Sequence, residues 1–217
     1  MKDRLLSYLE GFISEDRSRR FVDVLEARTR YITVAMEDVF QLHNTSAVIR
    51  SCDVFGVQEA HVIEARFGKR LDKNIAMGAQ QWVDVHRHTN VKACITALRS
   101  NGYQIIATSP HANSSLLSDF VLDQKTALFF GTEKEGLSKT VLDSADGFLK
   151  IPMAGFTESL NISVSAAIIL QTLTTQLKKS NLPWQLTEKD KLSLRLDWTK
   201  KSIKSIEDIM LRYHKEQ

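Results

Sequence analysis

The sequence predicts an α/β domain built on a mostly parallel sheet, with helical segments at both ends. Three observations carry that expectation. Short apolar runs rich in β-branched residues recur through the middle of the chain. Helix-period patterns fill the gaps between them, and long amphipathic stretches lie at either end. The apolar runs alternate little, as strands do in a sheet covered on both faces.

At the front, 2–11 and 15–28 read as two helices. The first strand is expected over 31–36, followed by a helix over 45–55. Strands at 60–63, 82–85, 104–108, 127–130 and 148–151 then alternate with helices at 71–80, 91–100 and 138–144. Asn101-Gly102 after Ser100 is a helix stop. Over 159–179, Ile162, Ala166, Ile169, Leu170, Leu173 and Leu177 recur at helical spacing and predict a buried stripe on the longest helix. Asn181-Leu182-Pro183 breaks it, and 186–217 reads as one or two basic amphipathic helices. The organisation is thus a helical extension over 1–30, an α/β domain over 31–179 and a basic helical extension over 180–217.

Composition narrows the function classes. Of 217 residues, 43% are hydrophobic and 25% charged, with 3 Pro and 9 Gly, which excludes disordered and collagen-like chains. No apolar run approaches the roughly 18–20 residues that cross a bilayer, and Met1-Lys2-Asp3-Arg4 leads into a charged stretch unlike a signal peptide. Cys52 and Cys94 stand in unrelated contexts, so neither a disulfide framework nor a cysteine-rich metal cage is expected. A soluble cytoplasmic protein without a membrane partner follows as the expectation.

The net charge of +3 is unevenly spread. Residues 1–30 carry +1 and residues 178–217 carry +4, which leaves −2 for the middle. A near-neutral body with a basic tail suits chemistry in the middle and a polyanion at the ends; the bland alternative is a solvated helix face. Arg17, Arg19, Arg20, Arg28, Arg30, Lys200, Lys201 and Lys204 are the candidate phosphate contacts.

Several familiar sites are absent. No G-x-G-x-x-G, P-loop, H-E-x-x-H or G-x-S-x-G occurs, and 37–44 after the first strand holds no glycine. His86 and His88 offer two metal ligands, but no third follows nearby, and they read as surface histidines. Three other segments stand out. In 44–50, Asn44 stands where a helix would begin and Arg50 follows a little under two turns on; an N-cap and a solvated Arg50–Asp53 pair are the plain alternative. In 129–138, a strand ends in a loop bracketed by Gly131 and Gly136, which permit backbone turns and close approach to a ligand. In 151–161, a strand enters a mixed polar and apolar loop before the longest helix, where Ser159 or Asn161 can cap.

Taken together and in order, Asn44…Arg50, Phe130-Gly131-Thr132-Glu133…Gly136-Leu137 and Ile151-Pro152-Met153…Ser159-Leu160-Asn161-Ile162-Ser163-Val164-Ser165 resemble the three motifs of the SPOUT superfamily of RNA 2′-O-methyltransferases. The resemblance covers about 21–178. Segments 39–53 and 56–61 are similar to its tRNA (guanosine-2′-O-)-methyltransferase (TrmH/SpoU) branch. That resemblance implies a deep C-terminal trefoil knot in the sheet, a homodimer, S-adenosylmethionine as methyl donor and no need of a metal. It implies that Thr108, Leu128, Gly131, Gly136, Ile151, Met153 and Leu160 surround the donor, largely through backbone groups. Arg50 would be the catalytic residue, with Asn44 and Glu133 fixing it and Ser159 and Asn161 holding the nucleotide; His43, beside Asn44, joins the RNA contacts. A guanidinium, with a pKa above ~12, is a poor general base, so a phosphate clamp that orients the ribose hydroxyl is the sounder role. The implied substrate is a tRNA D-loop guanosine, position 18. A ribosomal RNA 2′-O-methyltransferase and a catalytically silent RNA-binding relative are the alternatives.

Overall fold

Strands sandwiched between helices must be apolar on both faces, and the runs that satisfy this condition are the ones that pair. The computed structural model describes residues 2–39, 42–64, 78–109, 114–132 and 135–215. Its helices are α1 (Lys2–Glu10), α2 (Glu15–Glu26), α3 (Leu42–Phe55), α4 (Val91–Ser100), α5 (Lys139–Ser144), α6 (Ile162–Lys179), α7 (Glu188–Ser202) and α8 (Ile206–Lys215). The strands are β1 (Ile32–Glu37), β2 (Glu59–Ile63), β3 (Asp84–His88), β4 (Gln104–Thr108), β5 (Ser115–Leu116), β6 (Thr126–Phe130) and β7 (Gly147–Lys150). They form one seven-stranded sheet in the order β3-β2-β1-β6-β4-β7-β5, and the pairings among the described residues are parallel.

The chain divides into two compact units, Thr29–Trp184 and Met1–Arg28 with Gln185–Gln217. In the first, the period-2 rule sorts side chains to opposite faces of the sheet. Ile32, Val34, Met36, Ile106, Leu128 and Phe130 pack with α3 and α6. Ala35, Ile105, Ala107, Ala127 and Phe129 pack with α4 and α5. Leu128, opposite Val34 of β1 and Ile106 of β4, sits at the middle of the sheet. The expected stripe on α6 is buried as read, from Ile162 to Leu177. Each such fully buried Leu, Ile or Phe contributes about 1.5–3 kcal/mol of transfer free energy.

Differences from the sequence reading have local causes. Helix α3 begins at Leu42, so Asn44 lies in its first turn and is not its N-cap. Helix α6 begins at Ile162, because the Asn161 side chain accepts from the Ser163 N–H and stops the helix from extending backward. Strand β3 lies two residues later than expected at its start and includes Arg87 and His88; an edge strand needs less apolar surface and tolerates charge. Strand β5 is two residues long and carries no legible pattern. The helix expected over 71–80 falls almost wholly outside the described residues; Ala79–Gln81 is a single 3₁₀ turn. His86 is exposed as expected, but His88 is half-buried, and its Nε2 lies 2.9 Å from Nδ1 of His61. Burial first, then the neighbouring His86 and His88, push the His61 imidazole down to about 3, so this ring is neutral.

The two ends, read as separate extensions, pack on each other as one helical unit. Leu6 and Leu9 of α1 meet Leu196, Ile203 and Ile209. Phe21 meets Trp198 edge-on at 5.6 Å. Arg195 pairs with Glu10 at 2.6 Å, and Lys191 with Glu26 at 2.8 Å. The apolar face of the tail is thus covered by α1 and α2, while Lys201 and Lys204 are exposed and Lys200 is half-buried.

Candidate active site

In a parallel sheet the loops leaving the carboxyl ends of the strands form the natural ligand crevice. Here the ends of β4, β6 and β7 surround a cavity of about 350 Å³, within the ~300–1,000 Å³ usual for small-molecule sites. Thr108 and Ser109 line it after β4, Gly131, Thr132, Glu135, Gly136 and Leu137 after β6, and Ile151, Met153, Ser159 and Leu160 after β7. Leu149, Ile162 and Ile169 supply apolar walls. The lining suits a ligand with a flat apolar part and polar edges read by backbone groups.

The loop after β6 is held by its own backbone. Thr132 and Gly136 exchange hydrogen bonds, N–H to carbonyl, at 3.1 and 3.0 Å, and the Glu135 N–H donates to Thr132 Oγ1 at 3.0 Å. This closure brings Gly131 against Gly136: a Cβ built on Gly131 would lie 2.2 Å from the Gly136 carbonyl carbon and 2.5 Å from the Leu137 nitrogen. The buried Glu37 carboxylate at the end of β1 accepts from the Ser138 N–H at 2.9 Å and ties the loop's far end to the sheet. Thr108 is likewise fixed, its hydroxyl donating to the Phe129 carbonyl at 2.7 Å.

The first and third motifs meet through one side-chain contact. Asn161 Nδ2 donates to Asn44 Oδ1 at 3.2 Å, while Asn161 Oδ1 accepts from the Ser163 N–H at 2.8 Å. Asn161 is therefore both the cap of α6 and a strut to the first turn of α3, and Asn44 is buried. Arg50 is exposed and is not among the residues lining the cavity. It stands seven residues after His43, so both positions share the outer face of α3. Glu133 lies outside the described residues.

Of the residues expected around a donor, Thr108, Gly131, Gly136, Ile151, Met153 and Leu160 line the cavity, as does Ser159. Leu128 does not; its side chain is in the core and its backbone belongs to the β6 ladders. Sequence reading missed Ser109, Thr132, Glu135, Lys150, Glu158 and Ser165 on the lining; most are chain neighbours of predicted residues, which was the available signal. It also missed Glu37 and Asp38. Both line a smaller cavity of about 120 Å³ beside the same loop, and Asp38 holds a left-handed φ of 47°. An Asp in that conformation directly after a strand is a cue to a functional turn.

Two of the expected RNA contacts are corrected. Arg28 is only 2% exposed, its guanidinium 5.4 Å over the Trp198 ring, so it serves packing and not a phosphate. Arg30 belongs to the central unit, where it pairs with Asp84 at 2.6 Å and Glu59 at 3.3 Å. Arg17, Arg19 and Arg20 of α2 are exposed.

Comparisons with known proteins place this geometry in context. The SpoU rRNA Methylase family model matches residues 31–171. The tRNA (guanosine(18)-2′-O)-methyltransferase of Borreliella burgdorferi is 40% identical over 204 residues, 94% of each chain. Among solved structures, the Aquifex aeolicus TrmH/SpoU tRNA modifying enzyme superposes with a TM-score of 0.78 at 29% identity, over 87% of this chain and 98% of its own. The SpoU methyltransferase AviRb of Streptomyces viridochromogenes, solved in complex with AdoMet, shares the fold with a TM-score of 0.62 at 23% identity, over 74% of this chain and 63% of its own.

Proposed function

Because the chain belongs to the SpoU rRNA Methylase family, we propose that it methylates the ribose 2′-hydroxyl of guanosine 18 in the tRNA D-loop, with S-adenosylmethionine as donor. The observation that carries this reading is the cavity at the ends of β4, β6 and β7, lined by residues of the second and third motifs and closed by the glycine-bracketed loop. Its support beyond geometry is the 40% identical relative named for that activity and a protein of the same fold that holds AdoMet.

S-adenosylmethionine, when bound, supplies a methyl group already activated on a sulfonium, so the protein's task is positioning. Thr108, Gly131, Gly136, Ile151, Met153 and Leu160 hold the donor. The Asn161–Asn44 strut fixes α3 against α6 and so sets where Arg50 stands. Arg50 clamps the phosphate beside the target ribose and orients the hydroxyl, with Ser159 at the nucleotide. The hydroxyl proton leaves to phosphate or water, since a guanidinium accepts none. The reaction takes place in the cytoplasm. The return of α6 to α3, after the outward step from β4 to β7, supports a knotted path for the chain beyond Phe130.

One observation favours the second reading: the matching family model is described for ribosomal RNA, whereas the relative aligned over 94% of the chain is named for tRNA. Incubation with methyl-labelled S-adenosylmethionine and separated tRNA and ribosomal RNA, followed by mapping of the labelled nucleotide, decides between them. Label confined to ribosomal RNA overturns the tRNA assignment.

Homodimerisation is part of the proposal. The outer face of α6 shows Val164 and Ile168 to solvent, and the preceding loop shows Met153 (40% exposed) and Phe156 (108%). A patch of this kind calls for a partner surface. Sedimentation at micromolar concentration is expected to give a dimer, and Ile168→Asp with Val164→Asp a monomer of reduced activity. An active monomeric wild type contradicts this.

The exposed basic residues of the helical unit are proposed to carry RNA affinity. Replacing Arg17, Arg19, Lys201 and Lys204 singly by Gln is expected to lower the slope of log affinity against log salt by ~0.7–0.9 for each phosphate that is no longer neutralised. Donor binding is expected to stay unchanged. Equal slopes across a salt series mean that the residue touches no phosphate.

A further inference from the structure

We propose that His61, His88 and Cys94 form a binding site for one transition-metal ion of the zinc class, between β2, β3 and α4. The three residues are remote in sequence and lie on three different elements, yet one ligand atom from each falls within 4.8 Å of the others. The sheet brings this about. In the parallel β2–β3 register His61 lies opposite His86, and Ile63 opposite His88, so 61, 86 and 88 point to one face. That face is the one α4 covers, and Cys94 packs there in the same cluster as Ile63.

The donor set selects the ligand class. Two imidazoles and a thiol are borderline-soft donors, suited to zinc, cobalt(II) or copper and unsuited to magnesium or calcium. Three protein ligands leave a fourth tetrahedral position for water.

The His61 side chain is more than nine-tenths buried, and the nitrogen it turns toward the cluster, Nδ1, faces Nε2 of His88 at 2.9 Å, where one proton bridges two neutral rings. Metal–nitrogen bonds of about 2.0–2.1 Å in tetrahedral geometry separate the two ligand nitrogens by about 3.3 Å. A modest parting of the two rings therefore admits an ion. On binding, the Cys94 thiol releases one proton and becomes the thiolate ligand, and each imidazole keeps its single proton on the nitrogen not bound to metal. His86 stacks on His61 with centroids 5.0 Å apart and, being exposed, shields the site without completing it.

In the sheet order β3 lies at the opposite end from β4, β7 and β5, so this site is separate from the methyl-donor cavity. Its effect is to pin an edge strand and a covering helix to β2. Cobalt(II) titration of the metal-free, full-length protein tests it. The expected result is one equivalent bound with a sulfur-to-cobalt charge-transfer band, bleached by zinc, and a rise in melting temperature with zinc. Cys94→Ala is expected to abolish the band and the rise, His88→Ala to weaken binding at least about tenfold, and His86→Ala to leave the stoichiometry at one. Absence of the band in the folded wild-type protein overturns the proposal. So does a band that survives in Cys94→Ala, which would assign the thiolate to Cys52. Should Cys94→Ala fail to fold by circular dichroism, the His88→Ala titration carries the same decision, with unchanged affinity overturning the site.

Discussion

Gly131→Ala is expected to lose most of its S-adenosylmethionine binding in a chain that still folds. The added methyl would fall 2.2 Å from the Gly136 carbonyl carbon and 2.3 Å from its oxygen. These are backbone atoms and have no flexible end that can swing aside. The loop must open, and with it the reciprocal Thr132–Gly136 hydrogen bonds that shape the cavity. Gly136→Ala is the informative contrast. Its φ of 69° carries a cost of about 1–2 kcal/mol for an L-residue, but nothing lies within 4 Å of the new methyl. Calorimetric titration of the donor is expected to rank Gly131→Ala far below Gly136→Ala. Normal affinity in Gly131→Ala would show that the donor does not rely on this loop.

Arg50→Ala is expected to lower methyl transfer by about 10²–10³-fold, the range for removing a group that stabilises charge at the reacting centre. Donor affinity is expected to hold, because Arg50 is absent from the cavity lining. Stability is expected to change within about 0.5 kcal/mol, since the residue is exposed on the outer face of α3. Arg50→Lys is expected to be nearly as poor, because a point charge does not reproduce a planar fork on a phosphate. Turnover near that of the wild type in either variant removes Arg50 from the mechanism.

The central strands were legible because burial on both faces leaves an unbroken apolar run in the chain itself. β4 coincides with its expected range, 104–108. Elements at the sheet margin were less so: β3 carries Arg87 and His88, and β5 is two residues long. The second and third motifs were legible for a related reason, in that each is one continuous stretch of loop, and most of its expected donor contacts do line the cavity. What depends on residues far apart in the chain left no such trace. The Asn44–Asn161 strut looked like two separate helix caps. Arg28 looked like any basic residue of a charged helix, because its partner Trp198 is supplied from the other end of the chain. His88 looked exposed because its neighbours His61 and Cys94 arrive only when β2 and α4 close over it.

The pairing of the two chain ends has a consequence for the order of events during synthesis. Helices α1 and α2 leave the ribosome before the sheet does, whereas α7 and α8, which cover Leu6, Leu9 and Phe21, are made after it. About 160 residues separate α2 from α7, and at roughly 5–20 residues per second that is an interval of about ten to thirty seconds. The whole of Thr29–Trp184 emerges within it. Thr29 and Trp184 close that unit on themselves, the Thr29 hydroxyl donating to the Trp184 carbonyl at 2.6 Å. The sheet can therefore be complete before the helical unit exists, and the nascent N-terminal helices spend that time as an uncovered amphipathic pair, within reach of whatever receives chains at the tunnel exit.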